Sequence, residues 1–467
     1  MSNNIRRLAT TMALGFAALV LYLTYWQIGA ADDLATKMPY NAPRMQAAAD
    51  LVKRGAILDR AGRRLAWSQE TAAGSQRVYA EPSLVHVLGY DSFRFGTTNI
   101  ENAFNSYLSA EKGIDPLTLF RKDFFHEPVA GADVQTTIDA DLQRVADQAL
   151  GNWPGAIVAL DPRTGEILAL ASHPYFDPNR MDQDWDAIAN NPGDPLVNRA
   201  ANGQYVPGSI FKTVTLAAAL DDGVVNPQTT FSNKGDYVVD GFHIKYTNPP
   251  NRPTFDLRDA YAFSVNAAFA DIGLKLGADR LVRAAEAFGF EKDVPLVGIP
   301  TSASHVSVTP GFLKGPALAS TAFGQGELSV TPLQMALVAA AVANDGVVPT
   351  PYVVAAVKDQ AGNVLYQDGP RPWQRAMSEQ AAHTIRDMLV YSVDQAFAQA
   401  ARIPGVKVAG KTGTAETGTA AHAWFIGFAP ADNPRIAVAV IREEAGQGSS
   451  EATPQAREVM EAWLSRH

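Results

Sequence analysis

No cysteine occurs anywhere in the 467 residues. That removes disulfides, thiolate metal sites and cysteine nucleophiles together, and it leaves the compartment open. Positive charge is also scarce. Lys and Arg number 39 against 48 Asp and Glu, a formal net charge of −9, and no long basic run appears. Phosphate binding needs clustered Lys and Arg, so a nucleic-acid partner is not expected. Internal repeats and low-complexity tracts are missing as well. What remains is an ordinary globular composition, 47% apolar and 19% charged, in a chain long enough for two or three folded units.

One apolar stretch stands apart. From Leu8 to Ile28 no charge interrupts the chain, about the twenty residues that a helix needs to cross a bilayer. Arg6 and Arg7 precede it, and Asp32 and Asp33 follow. The positive-inside rule then places the N-terminus in the cytoplasm and the rest outside. Tyr22, Tyr25 and Trp26 gather at the outer end, where amphipathic rings favour the interface. Gly29-Ala30-Ala31 would suit a signal-peptidase site, but the apolar core is longer than signal peptides usually carry. The expectation is an uncleaved single-pass anchor, with the remainder exported.

Residues 32–133 are mixed in texture. Phe93, Phe95, Phe104, Tyr107, Phe120, Phe124 and Phe125 are expected to form a small core. From Val134 the pattern sharpens. Asp139–Leu150 reads as an amphipathic helix. Ala156–Leu160 and Ile167–Ala171 flank Asp161-Pro162-Arg163-Thr164-Gly165, a hairpin signal. The centre reads as helical (Thr213–Leu220, Asp279–Phe288, Pro332–Asn344), and strands return near the end at Val408–Glu416, Ala423–Phe428 and Ile436–Arg442. A last helix spans Pro454–Leu464. Two strands open this region and three close it. The economical fold is α/β (α+β): one five-stranded antiparallel sheet assembled from both ends, with helices on its faces and an inserted all-helical lobe.

Chemistry is suggested by Pro207-Gly208-Ser209-Ile210-Phe211-Lys212. A helix beginning at or just after Ser209 puts the hydroxyl at the positive end of its dipole. Lys212, three residues on, shares that face. Buried near a second cation, it would lose affinity for its proton and serve as a base. The pattern S-x-x-K is weak alone, and Ser109-Ala110-Glu111-Lys112 is another copy. That copy lacks a preceding Pro-Gly, runs into Gly113 and reads as a solvated helix end. Ser264-Val265-Asn266 falls in a helical stretch, Leu257–Leu276. By itself it could be a capping pair, and Ser2-Asn3-Asn4 repeats the pattern. Lys411-Thr412-Gly413-Thr414 is the only K-T-G sequence in the chain. A lysine and two hydroxyls at a strand edge suit a carboxylate, and Gly413 would let that ligand come close to the backbone. Glu327 and Glu416 are read as structural.

S-x-x-K, S-x-N and K-T-G in this order form the constellation of the serine penicillin-recognising enzymes. Further segments resemble class B penicillin-binding proteins: Arg54-Gly55-Ala56-Ile57-Leu58-Asp59-Arg60, Thr136-Thr137-Ile138-Asp139, Asn198-Arg199-Ala200, Gly324-Gln325-Gly326-Glu327 and Thr331-Pro332-Leu333-Gln334. The chain is most similar to compact elongation- and division-type members, such as actinobacterial ones. The resemblance implies a peptidoglycan D,D-transpeptidase fold with a cytoplasmic tail at 1–7, an anchor at 8–29, a pedestal at 30–133 and a transpeptidase domain at 134–467. It implies that Ser209 attacks the penultimate D-alanine carbonyl and that Lys212 takes its proton. Ser264 and Asn266 would help return a proton to the leaving amine and hold the substrate amide. Lys411, Thr412, Gly413 and Thr414 would bind the terminal carboxylate, with the Ser209 and Thr414 N–H groups as oxyanion hole. β-Lactams would acylate Ser209. No metal or cofactor is required, and a membrane glycan polymerase of the shape, elongation, division and sporulation type is the expected partner. A β-lactamase, a β-lactam sensor and a non-catalytic scaffold are the alternatives. The anchor and pedestal, the single span and the intact motifs argue against them in turn.

Overall fold

The computed structural model describes residues 2–26, 52–71, 74–114, 118, 120, 124–125, 127–233, 235–246, 250–309 and 311–466. Gly29-Ala30-Ala31, Asp32 and Asp33 lie outside them. The chain divides into two units: Met1–Lys53 with Asp115–Val129, and Arg54–Ile114 with Ala130–His467.

In the first unit, α1 (Ser2–Thr24) contains a span of 22 residues, Asn3–Thr24, long and apolar enough to cross a membrane. Its hydroxyls are satisfied within the helix, as lipid requires. Thr10 and Thr24 donate to the carbonyls of Arg6 and Val20 at 2.9 and 2.8 Å. Trp26 sits edge-on to Tyr22 and Tyr25. Phe120, Phe124 and Phe125 depart from the expected small core: they stack on one another and stay exposed.

Two large sheets organise the second unit, beside several two-stranded pairs. The first runs β8-β7-β4-β1-β2-β3, where β1 is Ile57–Leu58, β2 Arg64–Thr71, β3 Gly74–Tyr79, β4 Asp133–Thr136, β7 Val354–Lys358 and β8 Val364–Gln367. Only β1 and β4 run parallel. Strands at 347–375 and two short hairpins at 230–256 were not expected, because the pattern there is brief and half-exposed. The Asp59-Arg60-Ala61-Gly62 turn explains itself. Asp59 is fully buried, and its Oδ1 accepts from the Ala61 and Arg63 N–H groups at 2.9 and 2.8 Å. This side-chain turn closes the β1–β2 hairpin. Beside it, the buried Glu101 takes Arg54 at 2.7 Å and Arg77 at 2.7 Å. Of the aromatics in this region, Phe104 is buried in the core, whereas Phe95 stacks on Trp185 and Phe93 is exposed.

The central sheet is the antiparallel five-stranded one, in the order β6-β5-β11-β10-β9. Its strands are β5 (Gly155–Leu160), β6 (Ile167–His173), β9 (Ala409–Ala415), β10 (His422–Ala429) and β11 (Ile436–Arg442). The closing strand β11 pairs with the opening strand β5, Ile441 opposite Ala156 and Ala437 opposite Leu160. Both faces of β5 are covered, so that strand is apolar and buried at every position rather than alternating. Ala156, Val158, Trp424, Ile426 and Ala439 belong to one core, and Ile157, Ala159, Phe425, Val438 and Val440 to the other. The first face is covered by α6 (Pro332–Ala343), every residue of which is buried. Such a helix carries no polar face because it never meets water. Thr331 caps it by accepting from the Gln334 N–H at 3.1 Å, with Pro332 in the first turn. The second face is covered by α2 (Ala140–Leu150), capped by Asp139, and by α8 (Thr453–Leu464). The remaining helices that matter here are α3 (Lys212–Asp221), α4 (Leu257–Ala262), α5 (Asn266–Leu276) and α7 (Glu379–Gln395).

Glu101 yields the first prediction. Burial alone would raise its pKa, but Arg77 and Arg54 overcome that and hold it below the usual carboxylate value. A carboxylate depressed in the folded state adds stability above its unfolded pKa of about 4.3 and loses it as pH falls through the folded value. Glu101→Gln should cost about 3–5 kcal/mol at neutral pH, because the buried Arg77 loses its counter-charge and Arg54 keeps only Asp91. It should also flatten the acid limb of stability, as read by denaturant unfolding between pH 3 and pH 7.

Candidate active site

Ser209 lies in a short 3-10 turn, Gly208–Phe211, that leads directly into α3 at Lys212. The helix therefore starts three residues later than a start at Ser209 itself. Close approach holds the turn in place. Gly208 sits at φ +58, and its N–H donates to the Gly324 carbonyl at 2.9 Å. A Cβ on Gly324 would lie 1.7 Å from the Gly208 oxygen, and one on Gly208 would lie 2.6 Å from the Thr414 oxygen. The Trp424 indole donates to the Val206 carbonyl at 3.0 Å, and Tyr205 donates to Glu443 at 2.7 Å. The G-Q-G segment thus meets the turn of Ser209 directly.

Lys212 is fully buried, and four oxygens surround its Nζ. Ser209 Oγ is at 2.9 Å, the Ser264 carbonyl at 2.9 Å, Ser264 Oγ at 3.0 Å and Asn266 Oδ1 at 2.6 Å. Lys411, also fully buried, donates to Ser264 Oγ at 3.1 Å and to the Thr412 carbonyl at 3.0 Å. One hydroxyl therefore joins both lysines. The faces of Phe269 and Tyr261 lie 5.5 and 5.8 Å from the two nitrogens, which partly offsets their lost hydration. Burial, and after it the charge of Lys411, push Lys212 far below its usual range. Burial brings Lys411 down to about 7. The charge of Lys411 and the burial act in the same sense on Lys212, both disfavouring its protonated form.

The expected helix over Leu257–Leu276 is broken at the motif. α4 ends at Ala262, α5 begins at Asn266, and Ser264 stands between them at φ +57. A non-glycine residue in that region carries strain of about 1–3 kcal/mol and persists where its surroundings over-determine it. Here the break turns the Ser264 hydroxyl and carbonyl toward Lys212. Gly413 also differs from expectation. A Cβ there would lie 3.0 Å from Ile210 Cγ2, the Pro207 oxygen and Trp424 Cβ. That face of Gly413 packs against the turn of Ser209 and against Trp424 of β10.

A cleft of about 310 Å³ opens over these groups, lined by Ser209, Ser264, Asn266, Thr412 and Thr414. Phe397, Gln447 and Ser449 also line it and were not anticipated. Gly446-Gln447-Gly448-Ser449-Ser450, four residues past the end of β11, is the turn-rich signal that could have pointed to Gln447 and Ser449. Gly448 presses on β9, where a Cβ would meet the Gly413 oxygen at 2.2 Å. Glu416, expected to be structural, lines the cleft instead. Glu327 does act within the fold, accepting from Ser307 Oγ and Thr309 Oγ1, both at 2.7 Å. The second S-x-x-K is elsewhere. Ser109 donates to the Asn105 carbonyl at 2.7 Å, and Lys112 lies over the Tyr107 ring.

Residues 155–461 match the family described as penicillin binding protein transpeptidase domain, and residues 54–134 match the penicillin binding protein A dimerisation domain. Peptidoglycan D,D-transpeptidase PbpA of Mycolicibacterium smegmatis is 34% identical over 503 residues, covering 99% of each chain. Penicillin-binding protein A from M. tuberculosis, solved as its imipenem acyl-enzyme complex, is 34% identical with a TM-score of 0.82, over 89% of this chain and 99% of that one. The penicillin G acyl-enzyme complex of the same protein gives 33% identity and a TM-score of 0.80, over 88% and 99%.

The glycine contacts around Ser209 carry a prediction. Gly324→Ala meets both a positive φ of +98 and a backbone oxygen, so it should destabilise by about 3 kcal/mol or more. Gly223→Ala has φ +66 but open space around it, and should lose about 1–2 kcal/mol. Urea midpoints of the two variants give the comparison. Equal losses would mean that the turn and the G-Q-G segment do not press on each other.

Proposed function

The chain belongs to the penicillin-binding protein transpeptidase family, and on that premise we propose that it is a peptidoglycan D,D-transpeptidase acylated at Ser209. The observation that carries this reading is the buried Lys212 Nζ, 2.9 Å from Ser209 Oγ. Neutral because of its burial, Lys212 accepts the Ser209 proton as the oxygen attacks the penultimate D-alanine carbonyl of a stem peptide. Its own N–H groups are spent on Asn266 Oδ1 and the Ser264 carbonyl, which aims the lone pair at Ser209. The negative charge that develops on the carbonyl oxygen falls between the N–H groups of Ser209 and Thr414. The closeness of Gly208 to Thr414 supports that placement.

The carbon–nitrogen bond then breaks. Lys212 passes its proton through Ser264 Oγ, 3.0 Å away, to the departing D-alanine amine. Lys411, with the hydroxyls of Thr412 and Thr414, holds the terminal carboxylate. A neighbouring strand's amine attacks the Ser209 ester, loses a proton to the same relay and forms the cross-link, and Ser209 leaves with the proton from Lys212. A β-lactam enters by the first half of this sequence and stays as the ester. The relatives solved as imipenem and penicillin G acyl-enzymes support this. No metal or cofactor takes part in these steps.

Residues 1–7 form the cytoplasmic tail, 8–29 the anchor, 30–133 the pedestal and 134–467 the transpeptidase domain. The apolar α1 supports the anchor. Arg6 and Arg7 before it support an N-terminus in the cytoplasm, with the catalytic domain outside. The pedestal's partner is a membrane glycan polymerase of the shape, elongation, division and sporulation type.

Labelling with a fluorescent penicillin tests the assignment. It should disappear in Ser209→Ala and persist in Ser109→Ala; the reverse pattern sinks the reading. The second-order acylation rate against pH tests the lysine roles, since it reports groups of the free enzyme. The rate should rise on the acid side as Lys212 loses its proton. It should fall above about pH 7 as Lys411 loses the charge that attracts the carboxylate. A rate still rising at pH 9 would remove Lys411 from carboxylate binding.

A further inference from the structure

The backbone that touches the turn of Ser209 at Gly324 is intrinsically soft. Gly324 and Gly326 lie at φ +98 and +84, and glycine gives up more conformational freedom on folding than any other residue. The contact it makes is nevertheless close. The Gly324 carbonyl accepts from the Gly208 N–H at 2.9 Å, one residue before the nucleophile. The serine keeps its place only if this segment is held still.

Both ends of the segment are tied to the fold. At one end the Gly324 and Gln325 N–H groups donate to the Thr321 and Ser320 carbonyls at 2.9 and 3.0 Å, where the helix Gly315–Ala322 finishes. At the other, Ser329 pairs with His305, and Val330 with Tyr205. Between those ends lies the Glu327 carboxylate. Its Oε2 accepts from Ser307 Oγ at 2.7 Å and from the Thr309 N–H at 3.1 Å. Its Oε1 accepts from Thr309 Oγ1 at 2.7 Å. Three donors on one short loop therefore grip one side chain, three residues from Gly324. A carboxylate has acceptor sites for all three, and hydrogen bonds to an ionised group are stronger than neutral ones.

We infer that Glu327 is a positioning residue for acylation: by clasping residues 307–309 to the G-Q-G segment, it holds the Gly208–Ser209 turn in register with Lys212. Glu327 is not among the described residues that line the cleft, so it acts on the serine rather than on the ligand. The inference rests on Ser209 as the nucleophile. Displacing an attacking oxygen by part of an ångström slows its reaction about tenfold.

The test follows acylation of the full chain in detergent by a fluorescent penicillin over a range of concentrations. That separates the dissociation constant of the first complex from the acylation rate constant. Glu327→Ala should lower the rate constant about tenfold and leave the dissociation constant unchanged. Glu327→Gln should recover most of the loss, since its amide oxygen replaces Oε2 and its amide nitrogen donates to Thr309 Oγ1. Ser307→Ala combined with Thr309→Val should be nearly as slow as Glu327→Ala, and adding Glu327→Ala to that pair should cost little more. An unchanged rate constant in Glu327→Ala, or a change confined to the dissociation constant, overturns the inference. So does an equal loss in Glu327→Gln, or losses that multiply when the loop and Glu327 variants are combined. Failure of the parent protein to take up penicillin at Ser209 would instead overturn the transpeptidase reading.

Discussion

Two lysine side chains, Lys212 and Lys411, both fully buried, converge on the single hydroxyl of Ser264 at 3.0 and 3.1 Å. Removing a cation from water costs several kcal/mol unless oxygens and counter-charges replace its hydration. Among the described partners of these two nitrogens there is no carboxylate. Neutral oxygens and two aromatic faces do the replacing, and the remaining cost is relieved by loss of a proton. Much of the local structure follows from that requirement. Ser264 must turn to φ +57 to present both its oxygens, and α4 and α5 must separate to let it. Gly208, Gly324, Gly413 and Gly448 must lack side chains so that the serine turn, the G-Q-G segment and the edge strand can meet.

The frame that supports this convergence is rigid for a simple reason. The central sheet is buried on both faces, and α6 behind it exposes nothing. The site sits at the edge strand of that sheet, where one side remains open to a substrate while the other side is locked by β10. The strain at Ser264 persists because its surroundings leave it no alternative, a usual arrangement where a geometry must be ready before the substrate arrives.

Burial has two consequences for the same pair of residues. It turns Lys212 into a base at neutral pH, which an exposed lysine cannot be. It also leaves Lys411 near the point where it can still carry charge. The motifs suggest a base at Lys212 and a carboxylate ligand at Lys411, but the burial that lowers both proton affinities is not visible in local sequence.

The amino-acid sequence by itself determined the sheet strands at both ends of the domain, the apolar α1, and the order of Ser209, Lys212, Ser264, Asn266 and Lys411. Hydrophobic runs and short motifs are local patterns, and local patterns survive in a one-dimensional reading. It also marked Ser109 as a lesser candidate through the absence of a Pro-Gly step before it. The tertiary structure alone decided what depends on distant neighbours. It broke the helix at Ser264 and packed Ile210 against Gly413. It brought Phe397, Gln447 and Ser449 into the cleft and moved Glu416 from a structural role to the cleft wall. It left Phe120, Phe124 and Phe125 exposed, because an aromatic residue's burial depends on what packs over it and not on its own type. Ser209 was visible from its Pro-Gly step and its downstream motifs, but its 2.9 Å contact with a fully buried lysine exists only after residues some 200 positions apart in the chain have folded together.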